Sequence, residues 1–130
     1  MPIAVQVDHE KRRIVAQASG ALGVRDLFSY QAGIASRPEL AGYDEIFDAT
    51  LVNDIRDVHA DGLKELAHLA ASSDSASHPS KFVIVAPQDV YYGLGRMYES
   101  LRECAPHSAR ELATFRTRGE AERWLDAKEE

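Results

Sequence analysis

Hydropathy in this chain switches between two periods, and the order of the switches leaves few folds open. Ile3, Val5 and Val7 alternate with polar or small residues, which on a pleated strand puts all three on one face. Asp8 to Lys11 is a short polar link before strand character resumes over Arg13 to Ser19, up to Gly20. So brief a link joins two strands only as an antiparallel hairpin. From Val24 the spacing becomes helical: Val24, Leu27, Phe28, Ile34 and Ala35 share one face, and Gln31 alone breaks the apolar stripe. Pro38 restricts the residue before it, so this helix is expected to end near Ser36.

The alternation continues to the end. Glu45 to Ala49 reads as a strand, followed by a long loop from Thr50 to Asp61 carrying Asp54, Asp57 and Asp61. Leu63, Leu66, Ala67 and Ala70 mark a second helix, closed by the small residues of Ser72 to Ser80, which are expected to form a flexible loop. Phe82 to Ala86 is a continuous apolar run between Lys81 and Pro87, the pattern of a central strand covered on both faces. Val90, Leu94, Met97, Tyr98 and Leu101 define a third helix, over residues 89–104, that ends near Pro106. Leu112 to Phe115 is a short strand, and Thr117-Arg118-Gly119-Glu120 has the form of a capping box before a last helix that buries Ala121, Trp124 and Leu125. The order β-β-α-β-α-β-α-β-α predicts an α/β domain: a single-layer, mostly parallel five-stranded sheet with an antiparallel N-terminal edge hairpin, four helices and right-handed crossovers. With no internal repeat, residues 1–130 are read as one domain.

Composition narrows the partners. The 15 Lys and Arg against 21 Asp and Glu give a net charge of −6, which argues against a nucleic-acid surface, since that would present a basic face to phosphates. One cysteine, Cys104, excludes an intramolecular disulfide and suits a reducing compartment; it is expected to pack as a small apolar side chain. No apolar run is long enough for a membrane span, and charge appears too early in Met1 to Glu10 for a signal peptide. The expected location is cytoplasmic.

Motifs with chemical content are few. Asp57-Val58-His59-Ala60-Asp61-Gly62 partly matches a calcium loop, but His59 stands at the third ligand position and His68 at the twelfth. Capping of the following helix by Asp61 or a neighbour is the better reading, and no metal or cofactor is expected. Tyr92-Gly93-Leu94-Gly95-Arg96-Met97-Tyr98 holds two glycines inside a helix, lacks the third glycine of a dinucleotide fingerprint, and follows no strand directly. Each glycine costs the helix about 1 kcal/mol relative to alanine, so a close approach by backbone or ligand is implied, or a loosely held helix. No Gly-x-Ser-x-Gly elbow is present. His9, His59, His68, His78 and His107 are scattered as surface or boundary residues, and no catalytic residue is assigned. Lys11-Arg12-Arg13 reads as a solvated turn.

Several segments together resemble the SpoIIAA-like family, small α/β domains grouped as STAS/SEC14-type and distantly similar to anti-sigma-factor antagonists. The resemblance is carried by the opening hairpin, Ser19-Gly20-Ala21-Leu22, Ile46-Phe47-Asp48-Ala49, Lys81-Phe82-Val83-Ile84-Val85, Tyr92-Gly93-Leu94-Gly95-Arg96-Met97-Tyr98-Glu99, Phe115-Arg116, and Ala121-Glu122-Arg123-Trp124-Leu125. It implies a non-enzymatic domain. In the antagonist branch a serine at the start of the second helix is phosphorylated; the matching stretch His59-Ala60-Asp61-Gly62-Leu63 places Ala60 and Asp61 there, without a hydroxyl, so no phosphorylation site is expected and Asp61 supplies fixed negative charge at the helix start. In the STAS/SEC14-type branch the resemblance implies a pocket for an apolar or lipid-like ligand beneath the third helix.

The leading expectation is therefore a binding or regulatory module that contacts a protein partner or a lipid-like small molecule through the loop 50–61 and the third helix. Asp48, Asp57, His59 and Asp61 would supply polar contacts at the carboxyl ends of the strands; Tyr91, Tyr92, Arg96 and Tyr98 would supply aromatic and guanidinium contacts. The lipid-like reading extends to peripheral membrane association. Two alternatives are a small hydrolase or transferase using the acidic loop with His59, and a homodimer through the helix face of Tyr91 to Tyr98.

Overall fold

The computed structural model describes residues 2–74 and 77–127. Strands β1 (Ile3–Asp8) and β2 (Arg13–Gly23) form the hairpin; then come helix α1 (Val24–Ala35), a 3-10 turn at Pro38–Leu40, β3 (Asp44–Arg56), α2 (Ala60–Ser72), β4 (Ser80–Val85), α3 (Asp89–Cys104), β5 (Arg110–Phe115) and α4 (Arg118–Asp126). The five strands lie in chain order, with β1 antiparallel to β2 and every later pair parallel. The element order and the mixed sheet are those expected from the hydropathy periods.

Alternation along the strands sorts the core into two layers. Ala16, Ala18, Phe47, Ala49 and Phe82 face α1, α2 and α3, where Leu63, Leu66, Ala67 and Tyr98 meet them. On the opposite face Ile46, Val83 and Val85 pack on Ala121 and Leu125 of α4. Successive residues of β4 thus enter different layers, which explains its continuous apolar run. The strand at the centre of the sheet is nevertheless β3, because β5 adds outside β4.

The largest departure from expectation is the length of β3. Thr50 to Arg56, expected as loop, continues the strand and pairs with Ser19 to Gly23 across two register shifts. Asn53 and Asp54 suggested a loop, but Val52 just before them is buried and holds the segment in the sheet. What remains of the loop is 57–59, where Asp57 takes a left-handed backbone with φ 57° before α2 begins. Of the loop expected over Ser72 to Ser80, Ser72 closes α2, and Ser75 and Ala76 lie outside the described residues. Three further expectations are corrected. Arg13 is buried rather than part of a solvated turn, with Nη2 2.7 Å from Asp126 Oδ1. Cys104 is exposed at the end of α3. Val90 and Met97, assigned to the inner stripe of α3, are 71% and 40% exposed.

The two helical glycines of α3 have different reasons. A Cβ on Gly95 would lie 2.8 Å from Thr114 Cγ2 and 3.3 Å from Ile84 Cγ2, so α3 sits closer to the sheet than any side chain allows. Gly93 has open space around it. Gly95→Ala is expected to lose about 1–2 kcal/mol, overpacking offset in part by helix propensity, whereas Gly93→Ala is expected to gain up to about 1 kcal/mol. Urea unfolding of both variants measures this, and equal changes at the two positions would show that Thr114 does not press on Gly95.

Candidate functional site

The residues singled out in the sequence are dispersed over both faces. Asp48 is buried on the α4 side, where its carboxylate accepts from Thr50 N–H at 2.9 Å and from the Thr50 hydroxyl, with Arg118 Nη1 at 3.3 Å. These contacts tie β3 to α4 and leave Asp48 away from α3. Asp57, His59 and Asp61 are all exposed around the first turn of α2. His59 is the N-cap residue by backbone but makes no side-chain cap, and Asp61 lies within the first turn. No hydrogen bond joins His59 to Asp57 or Asp61, and no group of three or more metal-ligating side chains forms, among the described residues. Tyr92 lies under the Arg116 guanidinium, 4.3 Å from the ring centroid, and Arg116 is held by Asp89 at 2.7 Å. Arg96 is exposed, 3.9 Å from Glu99.

Tyr91 and Tyr98 are the two candidates that share a cavity. Between the sheet and helices α1 to α3 lies an apolar cleft of about 100 Å³. Phe47, Ala49, Phe82 and Ile84 form its sheet side; Leu27 and Tyr30 of α1, Leu63 and Leu66 of α2, and Tyr91, Leu94 and Tyr98 of α3 form the rest. It extends from the carboxyl ends of the strands, at Leu22, Ile55 and Ala86, to Glu45 and Arg110 near the starts of β3 and β5.

That inner end is charged. Glu45 is 3% exposed; it accepts from Arg110 Nη1 at 2.7 Å and from the Tyr30 hydroxyl. Arg110 also donates to Tyr43 O and Ser80 Oγ, each at 2.8 Å. Burial, and then the charge and hydrogen bond of Glu45, hold the Tyr30 phenol well above its ordinary pKa of 10.0. Burial likewise raises Tyr98, against the opposing pull of Arg102. Arg102 is locked to Asp74 by two bonds of 2.7 and 3.0 Å. A second, more polar hollow of about 130 Å³ beside α1 and the α2 end shares Gln31, Glu45, Arg102 and Arg110 with the cleft. The sequence signal for this junction is Gln31, the residue that interrupts the apolar stripe of α1. The arginines and acids gave none, since each pair joins residues distant in the chain.

A mixed sheet with three helices on one face and one on the other, enclosing a cleft beside α3, defines an α/β domain of SpoIIAA-like fold. Among solved structures the chain is similar to an uncharacterized protein from the DUF3478 family with a SpoIIAA-like fold, from Shewanella loihica PV-4; the two share 16% sequence identity with a TM-score of 0.59, over 95% of this chain and 91% of that one. No family model and no curated protein matches the chain. No helix among the described residues is long and apolar enough to cross a membrane.

Proposed function

We propose that the chain is a non-enzymatic binding module whose ligand is a small apolar molecule held in the cleft beneath α3. The supporting observation is the cleft itself, apolar along its length with a few polar groups at one end, the usual form of a small-molecule site. Its size limits the ligand. A buried cavity of roughly 150 Å³ accepts benzene, so about 100 Å³ suits a compact apolar group of a few carbons. A long acyl chain would require α3 to move, and Gly95 pressed on Thr114 opposes that. The glycines therefore support close packing more than a lipid gate. The SpoIIAA-like fold is consistent with a regulatory module, and the single cysteine with a cytoplasmic one.

A protein contact on the outer surface of the same helices is the second reading, favoured by exposed Val90 and Met97 on α3 and Leu69 on α2. An enzyme built on His59 has less support, because His59 and Asp57 are exposed and unjoined.

Xenon, which enters apolar cavities without polar contacts, tests the cleft. Under rising xenon pressure the methyl resonances of Leu63 and Leu66 are expected to shift and saturate, and Leu94→Phe, which fills the space, to abolish the shift. An unsaturable, uniform response in both proteins would remove the ligand reading, as would native mass spectrometry showing only partner protein and no small molecule on the chain purified from cells.

A further inference from the structure

Strand β1 forms one edge of the sheet, bonded to β2 on one side alone among the described residues. Its register against β2 runs without a shift from Ile3↔Ala18 to Asp8↔Arg13. Pro2 O accepts from Ser19 N at 2.8 Å, so the even-numbered residues of β1 bond inward to β2, and the N–H and C=O groups of Ile3, Val5 and Val7 point away from the sheet. Side chains on those three residues are apolar, and Val5 is 40% exposed.

Edge strands are normally guarded by lysine, proline, bulges or inward charges. The opposite edge of this sheet follows that rule, with Arg110 and Glu111 inside β5 and Arg116 just beyond it. Ile3-Ala4-Val5-Gln6-Val7 carries no charge, no proline and no bulge, and the guards of this edge, Pro2 and Asp8, stand at its two ends.

We infer that this edge is an interface for a second copy of the chain, joined by antiparallel β1–β1 pairing about a two-fold axis at Val5. With that centre Val5 faces Val5 and Ile3 faces Val7, so every outward N–H of these residues meets an outward carbonyl, and apolar side chains share one face. On the other face Ala4 meets Gln6, and no like charges oppose each other. The flanking groove supports the same symmetry. A channel of about 350 Å³ runs between β1 and α1, along a helix row of Asp26, Ser29, Gly33 and Arg37. That row is acidic at one end, small in the middle and basic just past the other end. The two-fold turns the row end for end, setting Asp26 of each copy, which caps Gly23 N–H at 2.8 Å, on the side of Arg37 of the other, which pairs with exposed Glu39 at 3.1 Å in its own chain; the ends of the row are complementary in sign, as an isologous dimer needs. The channel shares Tyr30 with the α3 cleft, but the pairing edge of β1 lies outside the cleft and does not depend on the ligand reading.

Strand addition alone buries less than a standard interface, so the dimer is expected to be weak, with dissociation in roughly the micromolar range or above. Sedimentation equilibrium up to about millimolar protein is the test. Val5→Pro is the decisive variant, because the Val5 N–H faces away from β2 and its loss removes no bond of the native sheet; Val5→Lys guards the same edge by charge. Val5→Pro is expected to raise the dissociation constant roughly thirtyfold or more, the value of two lost central hydrogen bonds, and Val5→Lys to raise it by setting two lysines opposite each other at the two-fold, each with circular dichroism unchanged. A wild type that stays monomeric throughout would overturn the inference, as would a dimer that survives both substitutions and therefore uses another face. Capture of a foreign strand by a monomeric wild type counts on the same side.

Discussion

Asp74→Ala is expected to be the most damaging single substitution away from the apolar core, lowering stability by about 3–5 kcal/mol. Asp74 and Arg102 have side chains 3% and 2% exposed. The Asp74 carboxylate takes two bonds from Arg102 and a third from Ala109 N at 2.8 Å. Without it the buried guanidinium keeps Ser108 Oγ, at 3.1 Å, and the Tyr98 hydroxyl, neither of which supplies a counter-charge, and its Nε makes no hydrogen bond. The carboxylate also fastens the end of α2 to the end of α3 and to the start of β5, so its loss frees three segments together. A typical domain has about 5–15 kcal/mol in total, and the melting temperature should fall by roughly 10 °C or more. Adding Arg102→Met to the same chain is expected to restore part of the loss, because it removes the uncompensated charge. Thermal and urea unfolding of the two single variants and the double one give the coupling, and strict additivity would mean that the pair does not act as a unit.

The sequence disclosed this fold far better than this pair. Periods of two and of 3.6 are local properties, read within a few residues, and they located every strand and helix of the sheet. They failed where a long-range partner decides the conformation. Thr50 to Arg56 carries Asn53 and Asp54, residues typical of loops, and is strand because β2 lies alongside. Arg13 reads as solvated beside Lys11 and Arg12, and is buried because Asp126, at the far end of the chain, meets it. Cys104 and Met97 reversed the error, apolar by type yet on the outer side of α3. The candidate site was legible to the same degree. Tyr91 and Tyr98 share a helix face and reach one cleft, while Asp48 alternates out of it onto the α4 side. Gln31 was the one visible mark of the polar end, because a polar residue in an apolar stripe is a local anomaly, whereas the ion pairs it adjoins are not local at all.

The second large effect is expected at that polar end, where Glu45→Gln should cost about 2–4 kcal/mol. The amide preserves the shape of the acid but removes its charge and turns one of its two accepting oxygens into a donor, leaving Arg110 without a counter-ion. Arg110 is 15% exposed and keeps its bonds to Tyr43 O and Ser80 Oγ, so the loss is smaller than at Asp74. The substitution also carries a signature that simple destabilisation lacks. Burial is the largest cause of the raised Tyr30 pKa, and the Glu45 charge and hydrogen bond add to it; in the variant the phenol should titrate lower, yet still above 10.0. The sign of the linkage follows. A raised folded-state pKa stabilises the fold fully below the unfolded value, and that stability drains away as pH rises through the folded one. Glu45→Gln is therefore expected to be less stable than the wild type at neutral pH but to lose less stability on the alkaline side of 10.0. Phenolate absorbance and urea unfolding across that range report the two effects separately. A variant that lost stability while its Tyr30 transition stayed in place would show that Arg110, and not the phenol, is what Glu45 holds at the inner end of the cleft.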